Sequence, residues 1–193
     1  MSHYFINDTN VKDETIWIDF ELAQHKYHLI SNQGVFSKDK LDTGTRILLE
    51  TVLKHENHFD SMLDLGCGIG VVGTVLSDHY TGQITMIDIN ERAISLAKQN
   101  MKNKEARILC HDGIDQGEYD GIFLNPPIRA GKAVIYSLFD QSIEHLSQGG
   151  RLWIVIRKQH GANSAKKYLE SKGCLVEKVT QDKGFWILKV TKA

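Results

Sequence analysis

The stretch Asp64-Leu-Gly-Cys-Gly-Ile-Gly70 decides the fold that we expect for this chain. It closes the short apolar run 61–65 with an acid and then places glycines at every second position. Glycine adopts positive φ angles and has no Cβ, so such a run lets the backbone turn sharply and approach a ligand. Residues 70–79 then supply a helix whose N-terminus follows the turn. The stretch therefore predicts a strand, a ligand-binding turn and a helix.

Short apolar runs alternate with helical patterns from residue 61 onward, which is typical of a buried parallel sheet with crossover helices. Strands are predicted at 61–65, 83–89, 106–110, 119–124 and 151–156. Helices are predicted at 70–79, 91–102, 132–147 and 163–172, the third ended by Gly149-Gly150. Runs 175–180 and 185–190 flank a turn at 182–184 and must pair antiparallel. We expect a mostly parallel seven-stranded sheet with one reversed strand, from this C-terminal hairpin, at its end.

The first forty residues carry a different pattern. Apolar residues alternate over 16–22 and recur over 27–30, which predicts a short two-stranded element that turns at Gln24-His25. A polar loop then ends in cap-like Asp42 and Thr43, and a helix should follow.

Composition indicates one soluble globular domain spanning 1–193. The chain has 193 residues, a formal net charge of -1 and 41% hydrophobic residues, so charge alone would not hold it to nucleic acid. Its three cysteines form no CxxC pair, which excludes a disulfide framework or zinc site and favours a reducing, cytoplasmic setting. We expect no metal and no membrane partner, because ligand clusters, a leader peptide and long apolar runs are all missing from the sequence.

Ligands of doubly wound sheets bind outside the carboxyl ends of the strands. The predicted strands end at Asp64, Asp88, His111-Asp112 and Asn125-Pro-Pro127. Three acids and one amide should therefore meet in one crevice.

A nicotinamide cofactor is one alternative for this crevice. Residues 68–73 match the GxGxxG pattern, and Asp88 lies twenty residues beyond Gly68, where a carboxylate can bind a ribose. Tyr168 and Lys172 also have the YxxxK spacing of short-chain dehydrogenases. A chain this short leaves little room for a substrate domain, and the C-terminal hairpin is foreign to dinucleotide-binding folds.

The Asn125-Pro-Pro-Ile128 turn favours chemistry on an amino group. Proline fixes φ and lacks an amide donor, so Pro126 and Pro127 make a stiff loop whose carbonyls are free for a ligand. An amide oxygen and a backbone carbonyl can each accept a hydrogen bond from an NH2 group and orient its lone pair. The arrangement suits methyl transfer from S-adenosylmethionine to an amino nitrogen.

Taken together, these motifs resemble class I S-adenosylmethionine-dependent methyltransferases that methylate amino groups. Residues 34–37, 41–44 and 125–131 resemble, more narrowly, the small-subunit ribosomal RNA guanine-N2 methyltransferases. Enzymes of that family often carry a second, degenerate copy of the fold, whereas this chain has room for a single methyltransferase domain. The resemblance implies a Rossmann-like core at 43–193 that binds S-adenosylmethionine, preceded by an N-terminal β extension at 1–42. It also implies rRNA or a ribosomal subunit as partner, whereas the oligomeric state stays open.

The resemblance further implies a role for each site residue. Cofactor-binding residues would be Asp64, Gly66, Cys67, Gly68, Gly70, Asp88, Ile89, Asp112, Gly113 and Asn125. Asp64 would lie near the methionine amino group, Asp88 would bind the ribose hydroxyls and Asp112 the adenine amine. Catalytic residues would be Asn125, Pro126 and Pro127, and substrate-binding residues would be Phe36, Ile128 and Arg129. Ile128 stands where many amino methyltransferases place a base-stacking aromatic, and Phe36 is the candidate substitute.

Three of the site residues also have simpler, purely structural interpretations. Asp64 could cap the glycine turn, Asp112 could cap a helix before Gly113, and Cys67 is a small turn residue rather than a nucleophile. Two other functions also stay open: methylation of a protein glutamine or a small-molecule amine, and a non-catalytic module that binds the cofactor or RNA.

Overall fold

The computed structural model describes residues 14–32 and 40–192. In these ranges a β-hairpin precedes a region in which strands and helices alternate. The strands are β1 (Thr15–Leu22), β2 (His25–Asn32), β3 (Ser61–Leu65), β4 (Gln83–Asp88), β5 (Arg107–Cys110), β6 (Tyr119–Leu124), β7 (Leu146–Arg157), β8 (Cys174–Asp182) and β9 (Phe185–Lys192). The helices are α1 (Thr43–His55), α2 (Val71–His79), α3 (Glu91–Asn100), α4 (Lys132–Glu144) and α5 (Ala162–Ser171).

The N-terminal hairpin pairs β1 with β2 antiparallel, in register from Thr15↔Asn32 to Leu22↔His25. Its turn lies at Ala23 and Gln24, one residue before the predicted Gln24-His25. Both turn residues have positive φ, +48° and +66°. Two-residue hairpin turns need this conformation, and without a glycine the sequence does not mark its position.

The seven remaining strands form one sheet in the order β5-β4-β3-β6-β7-β9-β8. All adjacent pairs up to β7 are parallel, whereas β9 runs antiparallel to both β7 and β8. The predicted Rossmann-like α/β class, with one reversed strand, is confirmed. The reversed strand lies one place in from the edge, because β9 inserts between β7 and β8. The strand order changes direction between β3 and β6, the place where such sheets bind ligands.

Both faces of the sheet are covered by apolar packing. Alternate residues of one strand face opposite sides, so Phe123 and Trp153 join one buried cluster while Ile122 and Leu152 join the other. A third, smaller cluster joins Ile18 of β1 to Ile69 of the glycine turn. The hairpin therefore packs directly against the loop that follows β3.

The predicted helix 132–147 was wrong at its C-terminal end. Helix α4 stops at Glu144, and Leu146 already pairs with Tyr119 as the start of β7. The register then shifts between Tyr119 and Gly121, and Gly149 has φ +76°. Gly149-Gly150 thus bends a strand instead of ending a helix, a role that glycines also take at β-bulges.

Tyr168 of the YxxxK pair lies on α5 and Lys172 is its C-cap, and both connect this helix to α4. The Tyr168 hydroxyl donates to Asp140 of α4 at 2.8 Å, and the Lys172 ammonium lies 2.9 Å from the other Asp140 oxygen. Within the described ranges no helix is long and apolar enough to cross a membrane.

Candidate active site

The glycine turn after β3 is open to a ligand on one side. Gly66 and Gly68 have φ of +71° and +54°, and a Cβ added to either would meet no atom within 4 Å. Gly70 also has positive φ, but a Cβ there would lie 2.6 Å from Met86 Cε. The first two glycines therefore leave space for a ligand against the backbone, whereas the third allows close packing of the turn onto β4.

Asp64, the residue before the last of β3, is a buried acid with 3% of its surface exposed. One carboxylate oxygen accepts a hydrogen bond of 2.8 Å from the Gly73 amide in the first turn of α2. Burial raises the pKa of Asp64 to about 7, the Gly73 hydrogen bond opposes this rise, and the charge of Asp88 adds to it. The carboxyl caps α2, and it also offers a site where a cationic group would be stabilised.

Cys67 occupies the middle of the same turn and is buried. Its backbone amide, like that of Gly66, donates to the Ile87 carbonyl. Burial raises the pKa of the Cys67 thiol, so the thiol stays protonated near neutral pH. These observations agree with Cys67 as a small turn residue. No group of three or more His, Cys, Asp or Glu side chains that could hold a metal occurs in the described part of the chain.

Asp88, at the end of β4, shapes the glycine turn through both carboxylate oxygens. One accepts from the Gly68 amide at 2.8 Å and the other from the Asn90 amide at 2.9 Å. Each oxygen keeps a second lone pair for a ligand hydroxyl. Asp88 therefore connects the glycine turn to the N-terminus of α3, which Asn90 caps.

The loop after β5 lies beside the end of β4. Cys110 pairs with Asp88 across the two strands, and the Cys110 thiol contacts the Ile89 carbonyl at 3.5 Å. Asp112 is exposed and Gly113 is buried with φ +80°. No helix follows Asp112, so the helix-cap interpretation of that residue was wrong. Ile89, Asp112 and Gly113 thus belong to two neighbouring loops at the ligand-binding edge.

Asn125 follows β6 and lies across the crevice from the glycine turn. Leu65 pairs with both Ile87 and Leu124, so Gly66 and Asn125 begin adjacent loops. The Asn125 Nδ2 donates to Thr45 Oγ1 at 3.0 Å and to Asp42 Oδ2 at 3.3 Å. The N-terminus of α1 thus contacts the predicted catalytic amide.

The two prolines hold the next part of the loop. The Pro127 carbonyl accepts from the Ala130 amide at 2.9 Å, within a single 3-10 turn at Ile128–Ala130. Of the two proline carbonyls, that of Pro126 has no hydrogen-bond partner among the described residues. Ile128 packs partly against the apolar cluster of α4, and Arg129 is exposed. Phe36 lies outside the described residues.

Three residues near the site were missed as functional candidates. Thr45 and Asp42 contact Asn125, although only the capping role of Asp42 was predictable from its position before a helix. Asn100 exchanges two hydrogen bonds with the Ile30 backbone and donates a third to the Ile69 carbonyl. One amide therefore joins strand β2 to the glycine turn.

Comparison with known proteins identifies a family. The family described as Methyltransferase small domain matches residues 26–189. Uncharacterized protein YbxB of Bacillus subtilis (strain 168) is 38% identical over 198 residues, a match that covers 98% of both chains. Ribosomal RNA small subunit methyltransferase C of Pseudomonas fluorescens is 34% identical over 161 residues, which are 78% of this chain and 46% of that protein.

A solved structure supports the fold. The T. thermophilus 16S rRNA N2 G1207 methyltransferase (RsmC), in complex with AdoMet and guanosine, matches with a TM-score of 0.80 and 19% identity. The match covers 93% of this chain and 51% of that one. The chain thus spans about half the length of the named methyltransferases it matches. The chain belongs to the Methyltransferase small domain family of S-adenosylmethionine-dependent methyltransferases.

Proposed function

We propose that this chain methylates an exocyclic amino nitrogen, and that its substrate is guanine N2 in small-subunit rRNA. The observation that carries the proposal is the pairing of β3 with β6, which sets the open glycine turn beside Asn125 and Pro126. A methyl donor on the turn and an amino group on the Asn-Pro loop would be neighbours. We also propose that residues 1–193 act as one domain, with an extension at 1–42, because Asn100 and Ile18 join the hairpin to the core.

The residues of the crevice fit S-adenosylmethionine. The space over Gly66 and Gly68 accommodates a ligand, and the raised pKa of buried Asp64 marks a carboxylate that an ammonium group would stabilise. We assign Asp64 to the methionine amino group and Asp88 to the ribose hydroxyls. The adenine then lies against Ile89, Asp112 and Gly113, and the methionine portion passes Gly66, Cys67, Gly68 and Gly70 with Asn125 opposite.

The protein's role in the reaction is to orient the acceptor. When bound, S-adenosylmethionine supplies a methyl group that forms a bond to nitrogen while the C–S electron pair stays on sulfur and the nitrogen loses a proton to water. Asn125 Oδ1 and the Pro126 carbonyl each accept a hydrogen bond from one N–H of the amino group. The nitrogen lone pair then points away from these two acceptors. Neither acceptor titrates near neutrality, and catalysis rests on alignment.

The names of the relatives support rRNA as the substrate. Two relatives that are 34% and 33% identical to this chain are named Ribosomal RNA small subunit methyltransferase C, and the solved RsmC complex contains guanosine. We propose that Phe36, Ile128 and Arg129 contact the target nucleotide, Arg129 because its exposed cation can bind phosphate. Ribosomal subunits as substrate place the enzyme in the cytoplasm.

The proposal is tested by methyl incorporation from labelled S-adenosylmethionine into small ribosomal subunits and naked 16S rRNA, both from cells that lack the protein. Wild-type protein should label guanine N2. Asn125→Ala should still bind S-adenosylmethionine in calorimetry, and its kcat should fall by about 100-fold because acceptor orientation is lost. Asn103→Ala, an exposed asparagine after the C-terminus of α3, is the matched control.

Two results would contradict the proposal. Label in ribosomal protein instead of RNA would assign the enzyme to protein amide methylation. Full activity of Asn125→Ala would remove the amide from the reaction.

A further inference from the structure

Asn125 is held by a directional chain of hydrogen bonds that ends in a carboxylate. Its Nδ2 contacts Thr45 Oγ1 at 3.0 Å, and the Thr45 hydroxyl donates to Asp42 Oδ2 at 3.1 Å. The same Asp42 oxygen accepts the Thr45 amide at 2.8 Å as the N-cap of α1, and it lies 3.3 Å from Asn125 Nδ2. All three side chains therefore meet at the first turn of one helix.

The chain has only one consistent direction. A carboxylate accepts hydrogen bonds and donates none. The single hydroxyl hydrogen of Thr45 is therefore used in the hydrogen bond to Asp42. The Thr45 oxygen can then only accept from Asn125. Both neighbours of the amide are acceptors, and the amide must turn its NH2 group toward them.

A flipped amide would be costly at this position. It would place the Asn125 carbonyl oxygen against the Asp42 carboxylate and the Thr45 oxygen lone pairs, and it would lose two hydrogen bonds. Thr45 is 6% exposed, so water does not readily replace the lost contacts. The orientation with Oδ1 directed away from α1 is therefore strongly favoured.

We infer that Asp42 and Thr45 are positioning residues that keep the Asn125 amide in its accepting orientation and so make the acceptor subsite selective for an NH2 group. This inference rests on the proposed function for its chemistry. With Oδ1 and the Pro126 carbonyl both presented as acceptors, a group with two N–H bonds satisfies the subsite, whereas a keto oxygen satisfies neither partner.

Helix α1, whose N-terminus carries Asp42 and Thr45, is held against the sheet. A Cβ added to Gly44 would lie 2.7 Å from Phe185 Cε1 of β9, so the first turn of α1 lies tightly against the sheet. Thr45 and Asp42 are consequently held by the fold and not by the substrate.

A threonine series separates positioning from stability. Thr45→Val keeps the side-chain shape and removes the hydroxyl, and we expect kcat on small ribosomal subunits to fall about tenfold with unchanged affinity for S-adenosylmethionine. Thr45→Ser restores the hydroxyl and should restore most of kcat. Thr51→Val is the matched control, because Thr51 is a buried threonine of the same helix whose hydroxyl bonds to Ile47 O and Thr180 Oγ1.

A double-mutant cycle tests whether Thr45 acts through Asn125. In an Asn125→Ala background, Thr45→Val should cause no further loss of kcat, because there is no amide left to orient. An additional tenfold loss there, or wild-type kcat in Thr45→Val alone, would overturn the inference.

The orientation of the Asn125 amide can be measured without substrate. The side-chain NH2 protons of Asn125, identified in NMR spectra by their loss in Asn125→Ala, should exchange slowly with solvent in wild type and in Thr51→Val. They should exchange about tenfold faster in Thr45→Val. Unchanged exchange in Thr45→Val would overturn the positioning role even if the enzyme methylates rRNA. Protected protons together with no methylation of either RNA would overturn the proposed function and uphold the orientation.

Discussion

Asp64→Asn tests the buried carboxyl beneath the glycine turn. Burial raises the pKa of Asp64 from 3.8 to about 7 in the folded protein, so the folded state binds one proton more than the unfolded chain between these pH values. Stability conferred by the protonated form is complete below about pH 4 and is lost as pH rises through about 7. The difference between these two pKa values corresponds to about 4 kcal/mol of unfolding free energy at pH 8.

The assay is urea unfolding of both proteins at pH 5 and pH 8. Asparagine can still accept the Gly73 hydrogen bond and carries no charge, so the variant lacks the cost of ionisation. Its stability advantage over wild type should grow from about 2 kcal/mol at pH 5 to about 4 kcal/mol at pH 8. Comparing the unfolding free energies of the variant and wild type at each pH cancels the contributions of the other carboxyl groups and leaves that of Asp64. An advantage that is the same at both pH values would refute the assignment of a raised pKa to this residue.

The same carboxyl should couple cofactor binding to protons. An ammonium group paired with Asp64 favours the ionised form, so binding of S-adenosylmethionine below pH 7 should release a proton. Calorimetry in two buffers of different ionisation enthalpy measures this release. Wild type should show it at pH 6, and Asp64→Asn should show none.

Three further predictions concern other parts of the molecule. Asp88→Ala should weaken binding of S-adenosylmethionine by about tenfold or more in calorimetry, because it frees the Gly68 amide and removes the proposed ribose ligand. Gly82→Ala should lower the unfolding free energy in urea by about 3 kcal/mol, since its Cβ would lie 2.0 Å from the Phe59 carbonyl oxygen; equal stability would contradict this contact. Cys110, the exposed thiol, should react with a thiol reagent in native protein, as peptide mapping would show, while the two buried thiols should react only on unfolding.

The sheet was predictable because its strands are short apolar runs between glycine, proline and polar residues. The predictions for 61–65 and 119–124 coincide with β3 and β6. The end of α4 was not predictable from periodicity, because Leu146 continues the helical stripe and the glycines after it look like a helix stop. Pairing of Leu146 with Tyr119 decides that it is a strand residue, and this is a contact between distant parts of the chain.

The site was predictable only where a local motif marks it. Glycine spacing and the Asn125-Pro-Pro127 turn point to ligand binding because their backbone chemistry is unusual, and their residue roles stay predictions. The contacts of Asn125 with Thr45 and Asp42 bridge 80 and 83 positions. No spacing rule connects such residues, since only the fold of α1 onto the sheet brings them together.

The contact between α1 and β9 forms late in the synthesis of the chain. Phe185, which lies under Gly44, is made 141 residues after it, as the two positions show. A growing chain that has reached Asp182 contains β8, whose sheet partner β9 is still missing. The contact of the first turn of α1 with Phe185 forms only when β9 has been made and has paired with β7 and β8. A nascent chain that already carries the Asn-Pro loop therefore lacks the contact that holds the N-terminus of α1, which binds Asn125, and we expect methylating capacity only after β9 has left the ribosome.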